Sequence, residues 1–352
     1  MSTIQTSKAA ESRIEQVDQS NVKFASVYSD HMLVADYDDG SWGDIQILPF
    51  DDIKMSPATT FIHYGQAIFE GIKAYRQDNG DVAIFRPTDN FTRFNFSARR
   101  MAMQPVPEEV FMGGMKELIS LDRDWAPSAE GTSLYIRPFM FATDSFIGVR
   151  PPKKFRFMII TTPAGAYYSK PIKIYVHDKY VRAFPGGVGA AKAAGNYAAA
   201  MQPTVEVQEM GFDQILWLDG IEKKYVQEIG TMNVFFVIGD KVLTPSLEDG
   251  TILDGFTRRS IIQLLADSGI EVEQRKIDIQ ELVEASKNGS LKEVFGAGTA
   301  AVVAPIAELH YKGVDMVLPD VDTWKIAPDV KKRLADIRYG RAEDTHNWML
   351  KV

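Results

Sequence analysis

Apolar residues in the first half of the chain occur in short runs separated by stretches with helical spacing. The runs are strand-sized and rich in β-branched and aromatic residues, a composition typical of strands. This pattern predicts strands over residues 30–35, 81–86, 133–138 and 155–160, and helices over 89–103 and 107–121. Alternation of this kind favours an N-terminal lobe of the α/β type.

The second half of the chain carries denser strand signals. Residues 214–218 and 233–242 predict strands, and the second run folds back at Gly239 and Asp240 as a hairpin. One helix is predicted after residues 254–257 with its end at Gly269, and another near Asp278, where Glu281 follows at the spacing of a capping box. Together the two halves predict an α+β chain with two lobes.

A domain boundary is predicted where glycine, alanine, tyrosine, serine and proline cluster, over residues 163–171. At 352 residues with 45% hydrophobic content, the chain is long enough for two cores. We therefore expect a small N-terminal domain over 1–165, an interdomain loop over 166–176 and a large C-terminal domain over 177–352.

Charge and composition exclude several function classes. The net charge of −8 provides no positive field for nucleic acid or an anionic membrane. The absence of cysteine excludes disulfides, thiolate metal sites and cysteine nucleophiles. The first 23 residues mix acids with bases and lack an apolar block, and the longest apolar stretches are strand-sized. We expect a cytoplasmic, soluble protein with no nucleic-acid or membrane partner.

Lys192 is the only charged residue in a run of small residues, Gly186-Gly-Val-Gly-Ala-Ala-Lys-Ala-Ala-Gly-Asn-Tyr197. Small residues let a flat ligand approach the backbone, and an amine without a neighbouring carboxylate can lose its proton and attack a carbonyl. The run therefore indicates a lysine that forms a Schiff base. A solvated lysine in a glycine-rich loop is the alternative that this segment alone leaves open.

Three further segments supply the other groups that a pyridoxal phosphate enzyme needs. Glu228 precedes a Gly-Thr turn and could face a pyridine nitrogen, although a lone glutamate is more often an exposed strand-end acid. Residues 255–258 open a helix that could bind phosphate, and Thr299 could add a hydroxyl. A helix cap and a glycine turn are the alternatives for these two segments, so only their co-occurrence with Lys192 favours the cofactor site.

Other cofactor classes lack their motifs. The histidines show no His-Glu-x-x-His pattern, so no metal site is expected; they are His31, His63, His177, His310 and His346. The Gly186-Gly-Val-Gly segment is not a dinucleotide fingerprint, because no Gly-x-Gly-x-x-Gly opens a helix there. The pairs Arg99-Arg100 and Arg258-Arg259 are interpreted as solvated helix faces or ion-pair partners.

On these residues, the sequence resembles the branched-chain amino acid aminotransferases, which are fold-type IV pyridoxal phosphate enzymes. The shared motifs occur in the family's order over nearly the whole chain: Asp30-His-Met-Leu, His63-Tyr-Gly-Gln-Ala-Ile-Phe-Glu-Gly-Ile-Lys-Ala-Tyr75, Leu134-Tyr-Ile-Arg-Pro138, the Lys192 segment, Glu228-Ile-Gly-Thr-Met-Asn233, Gly255-Phe-Thr-Arg-Arg259, Phe295-Gly-Ala-Gly-Thr-Ala300 and Tyr339-Gly-Arg341. The resemblance implies a two-domain fold like that of D-amino acid aminotransferase, with a smaller N-terminal α/β lobe and a larger, strand-rich C-terminal lobe.

The resemblance also implies roles for individual residues. Lys192 would be the catalytic lysine that binds pyridoxal 5'-phosphate, Tyr197 would contact the phenolate oxygen and Glu228 the pyridine nitrogen. The remaining cofactor residues would be Arg93, Thr231, Phe256, Thr257 and Thr299. Tyr64 with the backbone near Thr299 and Ala300 would receive the substrate carboxylate, and the rest of the substrate site would comprise Tyr28, Phe69, Tyr135, Arg137 and Tyr167.

The implied activity is reversible, ping-pong transfer of the amino group of leucine, isoleucine or valine to 2-oxoglutarate, giving glutamate, in a homodimer. Two departures stand out: Ala301-Val-Val-Ala304 lies where some animal members of the family carry a Cys-x-x-Cys, and Asp254 replaces a frequent proline. Two alternatives are a D-amino acid aminotransferase or aminodeoxychorismate lyase of the same fold, and a silent binding protein.

Overall fold

The computed structural model describes residues 3–19, 22–165 and 170–352. Contacts between residues divide the chain into two compact units. Unit 1 comprises Met1–Tyr167, Ala191–Gly195 and Asp336–Val352, and unit 2 comprises Tyr168–Ala190 and Asn196–Ala335. Two late segments thus belong to unit 1, including the one that carries Lys192. Unit 1 consequently holds more residues than unit 2, in contrast to the smaller N-terminal lobe that the sequence predicted.

The strands of unit 1, numbered in chain order, are β1 (Ile4–Thr6), β2 (His31–Asp38), β3 (Ser41–Trp42), β4 (Ile45–Pro49), β5 (Ala67–Phe69), β6 (Ile72–Arg76), β7 (Val82–Phe85), β8 (Ser133–Ala142), β9 (Phe155–Ala164) and, after the strands of unit 2, β19 (Met349–Lys351). Unit 2 contains β10 (Ile172–His177), β11 (Gln214–Leu218), β12 (Val226–Ile229), β13 (Asn233–Ile238), β14 (Lys241–Pro245), β15 (Val272–Arg275), β16 (Leu291–Gly298), β17 (Val302–Tyr311) and β18 (Val314–Val317).

The α-helices are α1 (Thr60–Tyr64), α2 (Pro87–Arg100), α3 (Gly114–Leu121), α4 (Ala194–Ala198), α5 (Met201–Glu209), α6 (Phe256–Asp267), α7 (Ile279–Lys287) and α8 (Ile326–Arg338). A π-helical turn, Glu109–Gly113, precedes α3, and short 3-10 turns cover Ile14–Gln16, Arg123–Trp125 and Val321–Thr323. No helix in the described ranges is long and apolar enough to cross a membrane.

The described residues of unit 1 form one ten-stranded sheet with the order β1-β4-β2-β9-β8-β6-β7-β19, where β3 pairs with β2 and β5 with β8. Its pairs are antiparallel except β1 with β4. One face of the sheet packs against α2 and α3 through a large apolar core that includes Leu33, Phe94, Phe111 and Phe157. The C-terminal strand β19 completes an edge of this sheet, which explains why the chain's last residues belong to unit 1.

Unit 2 has a nine-stranded sheet within the described residues, in the order β12-β11-β10-β17-β16-β13-β14-β15 with β18 on β17. The strand β10 pairs in parallel with both β11 and β17, so this sheet is mixed. Because β10 begins at Ile172, the interdomain loop predicted over 166–176 is wrong in its second half. Ile172, Ile174 and Val176 alternate with more exposed residues, and a sheet strand buries them. The first four residues of that predicted loop lie outside the described residues.

Several local predictions differ from the structure in instructive ways. The helix predicted near Asp278 does begin there, and the Asp278 side chain accepts a hydrogen bond from the Gln280 N–H at 2.9 Å. The Glu281 carboxylate, however, binds the Arg275 guanidinium instead of closing a capping box. A charged partner with two donors competes successfully for that carboxylate. The long antiparallel pair of β16 and β17 escaped prediction because Gly296 and Gly298 lie inside β16.

Candidate active site

Lys192 is fixed to unit 1 through both of its backbone polar groups. Its carbonyl oxygen accepts a hydrogen bond from the Phe69 N–H at 3.1 Å, and its N–H donates to the Ser97 hydroxyl oxygen at 3.0 Å. The next residue, Ala193, forms a β-bridge with Ile68. Ser97 lies on α2 and is fully buried. The backbone from which the lysine side chain extends is therefore held by a strand and a helix of the same unit.

The Phe69 ring lies close to two cationic groups. The Lys192 nitrogen Nζ is 5.1 Å from the ring centroid, and the Arg137 guanidinium carbon is 4.7 Å from it. Arg137 also donates from Nη2 to the Tyr135 hydroxyl at 3.0 Å. Its Nε is buried and has no hydrogen-bond partner within the part of the chain that the structure describes. Such a guanidinium suits a carboxylate ligand, because its planar donors match carboxylate geometry.

A glycine makes room for Tyr135 on this surface. A Cβ atom on Gly71 would lie 2.2 Å from the Tyr135 hydroxyl oxygen and 3.0 Å from its Cζ. Tyr135 is paired across the sheet with Lys73, which lies two residues after Gly71 on β6. Because residue 71 is a glycine, the Tyr135 hydroxyl can occupy this position, where it accepts the hydrogen bond from Arg137.

Arg93 forms a buried ion pair with Glu70. The Arg93 atoms Nε and Nη2 each lie 2.7 Å from one oxygen of the Glu70 carboxylate, a bidentate arrangement. Glu70 is completely buried and Arg93 is 8% exposed. Arg93 projects from α2 one turn before Ser97, so a single helix carries both the predicted phosphate ligand and the residue that anchors Lys192. The sequence predicted Arg93, whereas Glu70 appeared only as part of a motif.

Two further predicted substrate residues of unit 1, Tyr64 and Tyr28, are less enclosed. Tyr64 ends α1, is 47% exposed and donates its hydroxyl to the Ile147 carbonyl oxygen. Tyr28 stacks on Phe50 with ring centroids 4.8 Å apart. Tyr167 lies outside the described residues. The substrate roles of Tyr28, Tyr64 and Tyr167 stay predictions.

Glu228 lies on β12 in unit 2 and is only 3% exposed, which rules out the exposed strand-end acid that the sequence left open. Its Oε1 accepts hydrogen bonds from the Leu253 N–H at 3.0 Å and the Asn233 side-chain amide at 3.3 Å. Its Oε2 lies 2.9 Å from Nε of Arg182. A buried carboxylate with these partners can face a protonated ring nitrogen, since its charge is already compensated and its orientation fixed.

The predicted phosphate segment of unit 2 begins α6 at Phe256, after Gly255 at the N-cap position. No side chain caps this helix terminus, and Phe256 and Thr257 are both buried. Asp254 replaces the proline that is frequent in the family. Both oxygens of its carboxylate accept hydrogen bonds from the Arg259 guanidinium, in the first turn of the helix. The ion pair offsets a carboxylate charge that would repel an anion at this helix end. The helix N-terminus thus remains suited to phosphate.

The arginine pairs behave differently from one another. Arg99 and Arg100 are exposed, as a solvated helix face requires. Arg258 is 2% exposed and donates to the Pro245 carbonyl oxygen and to Gln274, so it is not solvated. Its place in the first turn of α6, against β14 and β15, buries it; the charge pattern alone did not reveal this.

The other predicted cofactor residues of unit 2 lie in turns or at helix ends. Tyr197 is half-buried in α4, and Thr231 is exposed in the turn between β12 and β13. Thr299 and Ala300 form the turn between β16 and β17 and are half-buried. No group of three or more potential metal ligands occurs among the residues that the structure places.

Sequence reasoning missed four residues that hold the predicted ones in place: Glu70, Gly71, Ser97 and Arg182. Glu70 and Gly71 belong to a recognised motif, which was a usable signal. Ser97 and Arg182 lie in segments without a motif, and their contacts depend on the tertiary fold. Ser97 in particular follows Arg93 by four residues, a helical spacing that carries no chemical meaning without the structure.

Comparison with known proteins places these residues in a family. The family model described as amino-transferase class IV matches residues 67–309. A probable branched-chain-amino-acid aminotransferase of Staphylococcus epidermidis is 48% identical over 97% of this chain and 96% of its own length. A branched-chain-amino-acid transaminase 1 of Bacillus subtilis is 45% identical over 96% of both chains.

A solved structure gives the same result for the fold. The branched-chain amino acid aminotransferase from T.th., complexed with N-(5'-phosphopyridoxyl)-L-glutamate, matches with a TM-score of 0.73 and 26% identity, covering 90% of this chain and 97% of that chain. The α+β, fold-type IV architecture predicted from the sequence is thereby confirmed. This chain belongs to the amino-transferase class IV family.

Proposed function

We propose that this protein is a branched-chain amino acid aminotransferase that uses pyridoxal 5'-phosphate. It transfers the amino group of leucine, isoleucine or valine to 2-oxoglutarate, giving a branched-chain 2-oxo acid and glutamate. Relatives with this activity in their names share 45–48% of its residues over nearly its whole length.

The observation that carries the proposal is the surface around Phe69. An amine that can react with a carbonyl and a guanidinium that can bind a carboxylate lie close to one aromatic ring, at 5.1 and 4.7 Å from its centroid. Glutamate needs a cation for its distal carboxylate, and a branched aliphatic chain needs apolar area. One surface that offers both features suits an enzyme with two unlike substrates.

The residues of each unit fit pyridoxal phosphate. In unit 2 the uncapped N-terminus of α6, with buried Thr257, offers donors for the phosphate, and buried Glu228 offers an anion for the ring nitrogen. In unit 1 Lys192 supplies the amine for the aldehyde, and Arg93 supplies a cation for the phosphate. Tyr197 would contact the phenolate oxygen, with Thr231 and Thr299 completing the donors. When bound, pyridoxal phosphate would supply an acceptor for the amino group and an electron sink for the electron pair left on Cα after proton loss.

The protein's own residues then perform the proton transfers and the recognition. The Lys192 amine acts as a general base and acid: it takes the proton from the substrate Cα and would deliver it to C4′ of the cofactor. Glu228 holds a proton at the ring nitrogen. Arg137 and Tyr135 bind the distal carboxylate of glutamate or 2-oxoglutarate, and Phe69 with Tyr28 and Tyr167 provides apolar area for leucine. Tyr64, with the backbone at Thr299 and Ala300, receives the α-carboxylate.

The assembly that we propose is a homodimer in the cytoplasm. An exposed apolar surface on unit 1 supports a second copy as partner: Ile62 and Tyr64 lie on α1, and Phe146, Ile147 and Val149 lie on the neighbouring loop, with Val149 90% exposed. The Thr60 hydroxyl donates to the Phe146 carbonyl oxygen at 3.0 Å, which joins helix and loop. Contiguous exposed apolar residues of this kind are a feature of protein–protein interfaces.

An amino-donor panel with 2-oxoglutarate as acceptor tests the function. Glutamate formation should be fastest with leucine, isoleucine and valine, slower with aspartate and alanine, and undetectable with D-alanine. Activity with D-amino acids, or cleavage of a chorismate derivative without any activity toward leucine, would refute the proposal in favour of another member of the fold. A purified protein that shows no aldimine absorbance band sensitive to borohydride would instead be a binding protein.

A further inference from the structure

We propose that Arg182 is a positioning residue that fixes the Glu228 carboxylate and keeps the proton on the cofactor's ring nitrogen. The assignment rests on the proposed function, because it concerns the ring that Glu228 would face. Arg182 carries no family motif, and it lies in unit 2 ten residues before Lys192.

The two side chains form a buried ion pair. Nε of Arg182 lies 2.9 Å from Oε2 of Glu228, and the two side chains are 9% and 4% exposed. The contact is electrostatic, since Nε is not aligned for a hydrogen bond and has no other acceptor among the described residues. Two opposite charges buried side by side hold one another in place, because separating either one leaves an uncompensated charge in a medium of low polarity.

The same guanidinium also holds two loops of unit 2. Its Nη2 donates to the Gly189 carbonyl oxygen at 3.3 Å and to the Thr251 carbonyl oxygen. A Cβ atom on Gly189 would lie 2.3 Å from the Thr251 oxygen, so these backbones approach as closely as glycine allows. Two residues after Thr251, the Leu253 N–H donates to Oε1 of Glu228. Arg182 and Leu253 thus restrain the two oxygens of one carboxylate, and Arg182 is itself bound to the loop that carries Leu253.

This arrangement has a consequence for the ring nitrogen. Glu228 and the nitrogen share one proton, which lies either on the nitrogen, leaving a carboxylate, or on the carboxyl group. A cation against Oε2 stabilises the carboxylate and therefore favours the proton on the nitrogen. A protonated ring is the stronger electron acceptor. If Arg182 only stabilised the fold, its loss would lower the thermal stability without moving the proton from the ring nitrogen to Glu228.

The experiment compares holoprotein variants reconstituted with pyridoxal phosphate labelled with 15N in the ring. The substitutions are Arg182→Met and Arg182→Gln, which remove the charge, and Arg182→Lys, which keeps it. Arg275→Met is the control for the loss of an arginine–glutamate pair of the same unit, because its partner is Glu281 and both of these side chains are partly exposed. The readouts are the 15N resonance of the ring, the thermal midpoint and the single-turnover rate with leucine.

In the native protein and in Arg275→Met we expect a protonated-ring resonance. In Arg182→Met and Arg182→Gln the resonance should move toward the unprotonated position, with a rate at least about tenfold lower, since a neighbouring cation lowers the pKa of a carboxyl group by about one unit or more; Arg182→Lys should restore much of both. If Arg182→Met fails to fold, Arg182→Gln against Arg182→Lys makes the same comparison. A protonated-ring resonance in the folded charge-removing variants would overturn the role of Arg182 alone. A native protein without cofactor on Lys192 would overturn the proposed function as well.

Discussion

Phe69 and Lys192 are joined twice, once through the backbone and once through the side chains. The Phe69 N–H donates to the Lys192 carbonyl oxygen at 3.1 Å, and the Lys192 Nζ lies 5.1 Å from the Phe69 ring centroid. The residue expected to contact the substrate side chain therefore also restrains the lysine expected to perform the chemistry. Changes at Phe69 will disturb both roles, so the chemistry and the recognition are better separated at other residues.

Lys192 itself gives the most direct test of the chemistry. Lys192→Ala should abolish covalent attachment of pyridoxal phosphate and turnover while the fold persists, because the backbone contacts of residue 192 do not involve its side chain. Borohydride reduction followed by peptide mass mapping locates the modified lysine. Lys179→Ala, which removes an exposed lysine, is the control and should label like the native protein. A label on any other lysine would show that the assignment of Lys192 is wrong.

Ser97 should matter through the backbone of Lys192. Ser97→Ala removes the acceptor of the Lys192 N–H, and an unsatisfied buried donor costs about 1–3 kcal/mol. We expect a lower thermal midpoint and slower cofactor attachment, both measurable by unfolding and by the absorbance of the bound cofactor. Ser26→Ala, which removes an exposed hydroxyl bound to the Lys23 carbonyl oxygen, should change neither quantity. Equal behaviour of the two variants would contradict the anchoring role of Ser97.

The buried pair of Glu70 and Arg93 predicts a coupled loss of stability and cofactor affinity. Removing one partner of a buried ion pair costs about 3–5 kcal/mol, because the other charge is left uncompensated. Glu70→Gln should therefore lower the free energy of unfolding by that amount. It should also weaken pyridoxal phosphate binding, since Arg93 would lose its bidentate restraint.

An exposed pair provides the comparison for Glu70→Gln. Asp36 binds Arg156 with the same bidentate geometry, at 2.7 and 2.8 Å, but the Arg156 side chain is 31% exposed and the Asp36 side chain 51% exposed. Asp36→Asn should cost less than about 1 kcal/mol and leave cofactor affinity unchanged. Denaturant unfolding and cofactor titration measure both effects. Similar costs for the two substitutions would mean that the burial of Glu70 does not give the pair its strength.

Lys73 predicts a specific dependence of stability on pH. Burial, together with the nearby Arg338 guanidinium, lowers the pKa of Lys73 from 10.5 to about 7. Between these two pH values the unfolded chain binds a proton at Lys73 that the folded chain does not. The free energy of unfolding therefore increases with pH, by at most about 1.4 kcal/mol per pH unit. Below about pH 7 Lys73 is protonated in both states, so the full cost of burying its charge lowers the free energy of unfolding.

Lys73→Met removes the titrating group and should be the more stable protein at pH 7. Its advantage should shrink as pH rises toward 10.5, the ordinary pKa of lysine, and denaturant unfolding at several pH values measures this change. Lys351→Met, which removes an exposed lysine paired with Asp81, is the control for the loss of a positive charge. Parallel stability curves for Lys73→Met and the native protein would rule out the titration.

The sequence predicted the elements with strong local signals and missed those that tertiary pairing creates. The strand 214–218 and the start of α6 follow directly from periodicity and from the Gly255 N-cap. The strand β19 and the placement of Ala191–Gly195 in unit 1 depend on partners far away in sequence, Val82–Phe85 and Ile68. For the candidate site, a resemblance supplied the residues that carry chemistry. Residues that hold them, such as Ser97 and Arg182, have no local pattern and required the fold.

Arg137 offers the sharpest test of how one site serves two substrates. Its guanidinium lies close to the Phe69 and Tyr135 rings, with centroid distances of 4.7 and 5.3 Å, and its Nη2 donates to the Tyr135 hydroxyl. The rings and the hydroxyl fix the orientation of the guanidinium, while its buried Nε has no partner among the described residues. A preorganised cation of this kind gains more from a carboxylate than a mobile one, because less conformational entropy is lost.

Arg137→Met keeps most of the apolar stem and removes the charge. Losing a charged hydrogen bond costs about 1.5–3 kcal/mol, so the half-reaction with glutamate or 2-oxoglutarate should slow by roughly tenfold or more, and the half-reaction with leucine much less. Arg156→Met removes a partly exposed arginine of β9 that pairs with Asp36, and it should leave both half-reactions unchanged. Single-turnover absorbance of the cofactor with each substrate decides the outcome. Equal decreases in the single-turnover rates with leucine and with glutamate would show that Arg137 orders Phe69 and Tyr135 and does not recognise the distal carboxylate.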